Sequence, residues 1–268
     1  MSSLVLGACA AALLWFSSAA MQACREAAQV FFTGVMPGLF PMMVISRLLP
    51  QPHGKGAAVQ TMLFGWMSGS PAAAQRVMAS GAEGKALEKL LCAAGVMSPL
   101  FLTGTLGAWV GSREAGWKML LAHWLGAALT ALLWRGESRG GSQQERMPAS
   151  TLVSAVSQSM TSLLAVCGAM MLFSVLAGVL QELLPLPAPV FAVLHAMLEI
   201  GSGAKAVIDA FPQPPCALLC ALCSFGGMSL WLQNLLFVGT AIRPAKLLWM
   251  RALHGAVSYG LYSLISFL

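Results

Sequence analysis

A chain of 268 residues that is 58% hydrophobic and only 9% charged cannot cover a water-exposed surface, since soluble domains carry about 25% charged residues. Its net charge of +6 rests on Lys and Arg residues set in short connections between apolar runs, which excludes the continuous basic face of a nucleic-acid-binding protein. Apolar runs approaching the about 20 residues that cross a ~30 Å bilayer core recur along the whole length, so residues 1–268 read as one membrane domain with lipid as its first partner.

The first apolar run, residues 4–20, lacks the basic stretch that precedes the core of a secretion signal and is expected to be an extra membrane helix. Met21 to Val35 sets Arg25, Glu26 and Gln29 beside Val30, Phe31 and Phe32, the pattern of an amphipathic helix lying at the interface. Pro37 is expected to end it, with Gly38 to Leu49 crossing the bilayer and Pro50-Gln51-Pro52-His53-Gly54 closing that crossing. From Ala57 to Ser80 an apolar segment meets Ser68-Gly69-Ser70-Pro71 and is followed by a short piece bearing Gln75 and Arg76. Neither arm can span, so the pair is expected to form a re-entrant helical hairpin. Ala86 to Gly111 is interrupted at Ser98-Pro99, Trp117 to Trp134 returns across the bilayer, and Arg135 to Pro148 is a polar linker.

The second half repeats this order. Leu183-Leu184-Pro185-Leu186-Pro187 echoes Leu48-Leu49-Pro50-Gln51-Pro52, and Gly201-Ser202-Gly203 falls between two further short arms, Ala188 to Ile200 and Ala204 to Phe211. Gly226-Gly227-Met228-Ser229 interrupts Pro215 to Thr240 as Ser98-Pro99 interrupts the first long segment. The expected fold is therefore an all-α polytopic membrane protein of two repeats, 21–134 and 151–268, joined by a cytoplasmic linker at 135–150. Each repeat has an interfacial helix, a re-entrant hairpin and a broken transmembrane helix. Three crossings per repeat turn the second upside down relative to the first, giving about seven crossings with the extra helix. Arg47, Lys55, Lys85, Lys89, Arg135, Arg139, Arg146, Arg243, Lys246 and Arg251 gather on one side, against Arg25, Arg113 and Lys118 on the other. The positive-inside rule makes the first side cytoplasmic, with the N-terminus inside and the C-terminus outside.

Function is expected where chain breaks meet polar side chains. Glu199 stands beside the second hairpin's break, where an ionised carboxylate is costly and marks a solute path, an ion site or a proton relay; Lys205 or Arg76 is its expected charged partner. Ser68, Gly69, Ser70, Ser98, Ser202 and Ser229 lie at the breaks, where free backbone N–H groups and half-helix dipoles can hold a polar or anionic group. Gln75, Lys205 and Gln233 complete the expected substrate-binding set. Cys216, Cys220 and Cys223 share a helical face without a His or carboxylate, and His123, His195 and His254 lack ligand spacing, so no metal is expected. Gly227-Met228-Ser229 lacks the Gly that would complete an intramembrane serine-protease motif, and no enzyme is expected. No cofactor is expected beyond a coupling ion, H+ or Na+.

Ser68-Gly69-Ser70-Pro71-Ala72-Ala73-Ala74, Ser98-Pro99-Leu100-Phe101 with Gly104-Thr105, Leu198-Glu199-Ile200 with Gly203, and Gly226-Gly227-Met228-Ser229 with Gln233 resemble the bacterial sporulation membrane proteins of the nucleoside-recognition (Gate) class. Within it they look most like the stage V dipicolinate-transporting family. The resemblance spans roughly residues 25 to 260. It implies a fold similar to concentrative nucleoside carriers, alternating-access transport of a nucleoside-like or dipicolinate-like solute, and a place in a forespore membrane. The alternative is a scaffold without transport, working with further copies of itself or another membrane subunit in a sporulation or envelope complex.

Overall fold

A computed structural model describes residues 3–52, 54, 56–136 and 151–267, and every regular element among them is helical. The linker expected at 135–150 lies outside the described residues apart from Arg135 and Gly136, as do Lys55, Arg139 and Arg146. Among the described residues, three helices are long and apolar enough to cross a bilayer: Ser17–Leu48, Leu152–Leu183 and Cys216–Ala241. Polarity is distributed as a bilayer demands. Ser68, Thr130, Ser159, Ser174 and Ser258 are buried, whereas Leu132, Leu164, Leu172, Trp249 and Leu264 are exposed on the helices' outer faces.

Ser17–Leu48 corrects the expectation of an interfacial helix broken at Pro37. It is one helix of 32 residues, carried past the proline by a π-turn over Phe31–Val35. In a regular helix the Pro37 ring would press on the carbonyl of Thr33. The wider turn, in which Met36 N–H reaches Phe31 O, moves that carbonyl aside, so the helix bulges where it would otherwise break. Leu152–Leu183, capped by the Thr151 hydroxyl, is likewise unbroken, and among the described residues no separate interfacial helix precedes a crossing in the second half. The extra N-terminal helix stops at Trp15, five residues short of its expected end, and its 13 residues rise only about 20 Å.

The two long helices run antiparallel. Arg47 near the end of one donates to Gln158 Oε1 at 2.6 Å and Ser162 Oγ at 3.0 Å near the start of the other. At the far end, Gly178 lets Ala23 approach, a Cβ there coming within 2.9 Å of the Ala23 methyl. Arg113–Leu133 and Pro244–Phe267 form a second antiparallel pair: Trp134, just past the end of the first, and Lys246, near the start of the second, both bond Glu88, and where the two helices cross Gly126 packs against Ser258 and the His123 and His254 rings stack 4.7 Å apart. All three buried apolar clusters draw on both halves of the chain, so the halves share one core.

Two short-armed hairpins and two broken helices fill the space between these pairs. The first hairpin is Ala57–Ser68 with Ala72–Ala79, the second Ala188–Leu198 with Ile200–Ala210, and every arm is too short to span a ~30 Å core. The second hairpin turns at Glu199 rather than at Gly201-Ser202-Gly203, because the Glu199 side chain caps the helix that follows. Gly203 instead lets the two arms touch at Ala196. The broken helices are Gly84–Ala94 with Leu100–Val110, and Cys216–Phe225 with Gly227–Val238. Each hairpin leans on the broken helix of its own half. Gly65 and Gly69 face Ala94 and Ser98, and Gly227 faces the carbonyls of Ala196 and Leu198.

A Cβ on Gly65 would lie 2.6 Å from the Ala94 carbonyl oxygen, which belongs to backbone and cannot swing away. Gly65→Ala is therefore expected to lower stability by about 1–3 kcal/mol through overpacking. Gly168→Ala, at a helical glycine with nothing within 4 Å of its Cβ position, should stabilise by about 0.5–1 kcal/mol. Melting temperatures of the detergent-purified variants decide both.

Candidate functional site

The four chain breaks converge on one small, half-open cleft of about 50 Å³. Ser70 comes from the first hairpin tip, Ser98 from the first break, Glu199 from the second hairpin tip, and Ser229 and Gln233 from the helix after the second break. Val35, Leu39, Phe101, Met170 and Leu230 form much of the apolar wall. Val35 and Phe101 come from the two π-helical turns, Phe31–Val35 and Leu100–Leu106.

The tips are positioned through backbone. Ser70 N–H donates to Val96 O at 2.6 Å, which fastens the first tip to the first break. Gly69, at φ +74°, brings the tip so close that a Cβ would stand 2.7 Å from Ser98 Cα, so only glycine serves there. Ser98 Oγ accepts from Phe101 N–H at 3.2 Å and starts the helix beyond the break. The hydroxyls of Ser70 and Ser229 have no partner although both are buried. Such groups cost about 1–3 kcal/mol each when left unbonded, so their presence in the cleft wall suits a ligand or water that would bond them.

Glu199 does not have the partner expected for it. Its Oε1 accepts from Gly201 N–H at 2.8 Å, and its Oε2 accepts from Ser202 N–H and Ser202 Oγ–H, both at 2.7 Å. A carboxylate that satisfies the first N–H groups of a helix and sits at the positive end of its dipole needs no cation to be buried. Lys205 is exposed and paired with Asp209 on its own helix. Arg76 is committed to the end of Ser17–Leu48, donating to Leu49 O at 3.2 Å and Pro50 O at 2.5 Å.

Five of the ten expected site residues thus line the cleft: Ser70, Ser98, Glu199, Ser229 and Gln233. Ser202 stands behind Glu199, Gly69 shapes the tip, and the Ser68 hydroxyl is turned to Gly69 O at 3.4 Å. Gln75 and Lys205 lie elsewhere. The Gln75 amide, in its satisfied orientation, accepts from Arg47 Nε at 3.0 Å.

Beneath the cleft lies a polar core that the residue patterns did not suggest. Arg251, which had been grouped with the loop cations, is 5% exposed; its Nε donates to Phe225 O at 3.0 Å and its Nη1 to Gly95 O. Those carbonyls mark the C-terminal ends of the first segments of the two broken helices, each carrying about half a negative charge. Together they act as the counter-charge, and no carboxylate forms an ion pair with Arg251 among the described residues. Gly226, at φ +83°, leaves room for Nη2, which a Cβ would approach to 2.8 Å.

Met97 N–H donates to His123 Nε2 at 2.8 Å, so the other ring nitrogen carries the proton and donates to Ser224 Oγ at 2.6 Å. His254 Nε2–H donates to His123 O at 2.9 Å. One signal for this core was available. The interval of 131 positions that separates His123 from His254 also separates Gly95 from Gly226, Met97 from Met228 and Ser98 from Ser229.

Comparison with known protein families, curated proteins and solved structures finds no match to this chain.

Removing the Arg251 guanidinium uncaps two buried helix ends at once. Hydrogen bonds involving a charged group are worth about 1.5–3 kcal/mol each, so Arg251→Met should lose several kcal/mol and most of its folded yield. Arg25→Met, at an exposed position, should leave both unchanged. Size-exclusion profiles and thermal melts of the two proteins make the comparison.

Proposed function

We propose that this chain is a small-solute transporter of the bacterial cell membrane that resembles the nucleoside-recognition (Gate) class, and that its cleft binds a neutral polar solute. The observation that carries this reading is the convergence of Ser70, Ser98, Glu199, Ser229 and Gln233, from both hairpin tips and both broken helices, on one cleft. Discontinuous helices that meet around a polar cavity are the plan by which inverted-repeat carriers build a midplane site. The antiparallel pairing of Ser17–Leu48 with Leu152–Leu183, and of Arg113–Leu133 with Pro244–Phe267, supports two inverted repeats. Both hairpins are then re-entrant.

The charge pattern favours a neutral solute over a dianion. Among the described residues Glu199 is the only charged one in the cleft wall, and it already occupies the N-terminus of Ile200–Ala210, where an anionic group would otherwise bind. A dipicolinate-like solute would meet a carboxylate and no cation. A nucleoside-like solute offers hydroxyls and ring nitrogens to Ser70, Ser229 and Gln233, and apolar faces to Phe101 and Met170. On this topology Arg47, Lys85, Lys89, Arg135, Arg243 and Lys246 fall on one side and Arg25, Arg113 and Lys118 on the other, which supports a cytoplasmic first side even with Arg251 removed from the count. On this orientation Phe267 lies outside. A cytoplasmic N-terminus would need Ser3–Trp15 to cross, which its length does not support.

Uptake of radiolabelled nucleosides and of dipicolinate into proteoliposomes tests the reading. Nucleoside is expected to enter and dipicolinate to stay out. Ser229→Ala and Gln233→Leu should each lower nucleoside uptake by roughly tenfold, the effect of losing a contact of about 1.4 kcal/mol. Uptake of dipicolinate alone would overturn the neutral-solute reading. Flux of neither would leave the chain as a membrane scaffold.

A further inference from the structure

We propose that Ser202 and His195 form a proton relay that loads and unloads Glu199 from behind the cleft, so that the coupling ion is a proton. The inference rests on the transport reading, but its geometry stands apart from the cleft wall. Ser202 Oγ–H donates to Glu199 Oε2 at 2.7 Å. With its proton committed there, the hydroxyl can only accept from His195 Nε2, which lies 3.0 Å away. Carboxylate, hydroxyl and imidazole thus form an unbroken hydrogen-bonded row with one end in the cleft. A carboxylate that needed only to cap its helix would be satisfied by the N–H groups of Gly201 and Ser202. The row to His195 is additional, and the helix does not require it.

The surroundings are suited to the task. Glu199 is 1% exposed and has no cation holding it ionised, so its protonation leaves no unpaired charge behind. His195 is half-buried, and the carboxylates that bear on it are Glu199 and, from Ser17–Leu48, the exposed Glu26. Lys205 on the adjoining arm is tied to Asp209. Leu152–Leu183 presents the Ser174 hydroxyl, 3.4 Å from Ser202 Oγ. Cys216–Phe225 carries only thiols as ionisable groups, and Gly227–Val238 carries none.

The transfer balances without another reactant. His195 takes a proton from water at Nδ1 and becomes imidazolium. Its Nε2 proton passes to Ser202 Oγ as the Ser202 proton passes to Glu199 Oε2. The products are a carboxylic acid, an intact serine and a neutral imidazole, with both hydrogen bonds of the row reversed in direction. The imidazole returns to its starting tautomer by exchange with water. Discharge runs the same steps backwards.

The test uses the full chain in phosphatidylcholine vesicles, with a flash-released acid jump and rapid-scan infrared detection of the carboxylic-acid C=O band. The band is assigned to Glu199 by its loss in Glu199→Gln. Ser202→Ala and His195→Gln should slow its rise by about tenfold or more, equivalent to a barrier higher by ~1.4 kcal/mol, while Ser202→Thr keeps the wild-type rate. Glutamine at 195 preserves an N–H donor to Ser202 but cannot relay, so a wild-type rate in His195→Gln would reduce His195 to a positioning residue and overturn the proposal. If His195→Gln does not fold, equal rates in Ser202→Ala and Ser202→Thr overturn it instead. The absence of any Glu199 band after the jump would also overturn it. No solute enters this measurement, so a protein that fails nucleoside uptake can still pass it, and the reverse.

Discussion

A helix that stops inside an apolar medium leaves backbone groups that nothing in the lipid can satisfy, and this molecule stops helices in its interior four times. The stops are met from within the protein. Glu199 places a carboxylate on the first N–H groups of Ile200–Ala210. His123 takes the Met97 N–H within the first break, and Arg251 gathers the carbonyls of Gly95 and Phe225. At the first hairpin tip, Ser70 N–H is bonded to Val96 O. The sign of each charge follows the sign of the helix end that it meets. Two half-charges at two carboxyl ends sum to roughly the one positive charge of Arg251, which is how a cation comes to be buried without an acid.

The same constraint shapes the cleft. Backbone groups at the breaks have been assigned to the protein's own side chains, and what faces the cavity is the remainder: two unbonded hydroxyls, one amide, and the outer side of a carboxylate. That remainder has acceptors and weak donors but no cation. At the second tip the half-helix N-terminus does not stand open to an anion, because Glu199 is already the anion in place.

The chain breaks were legible because Gly, Ser and Pro cluster there, and because arms of about a dozen apolar residues are too short to span. Pro37 was misread for a related reason. A proline breaks a helix only when its missing N–H and its ring find no relief, and the π-turn at Phe31–Val35 supplies that relief through local geometry that no composition signals. Lys205 and Arg76 were assigned to Glu199 by nearness in sequence and by charge. The competing partners, backbone N–H groups two and three residues on, are present after every residue and therefore carry no signature. Arg251 looked like a topology marker because a single Arg in an apolar helix is ambiguous. Its role depends on two carbonyls drawn from two distant segments, which only the packing brings together.

How the two halves are joined bears on how such a molecule could open. Arg251 and His254 of the second half bond Gly95 and His123 of the first, deep in the core. Lys246 bonds Glu88 at 2.7 Å near one end, with Trp134 Nε1 on the other carboxylate oxygen at 2.9 Å. Rocking one entire half against the other would break these buried polar contacts together, and each stranded group costs on the order of 1–3 kcal/mol. The hairpins are fastened differently. The first hairpin's arms are tied by Trp66 Nε1, which donates to Ala93 O at 2.7 Å, and by Arg76, which holds the end of Ser17–Leu48, whereas close glycine contacts at Gly65, Gly69 and Gly227 and the Ser70 bond to Val96 seat the hairpins on the broken helices of their own halves. Movement of a hairpin tip would expose Ser70 or Glu199 while leaving Arg251 and the stacked imidazoles in place. The freer parts of the structure are therefore the hairpin tips, while the arms of the first hairpin stay tied through Trp66 and Arg76.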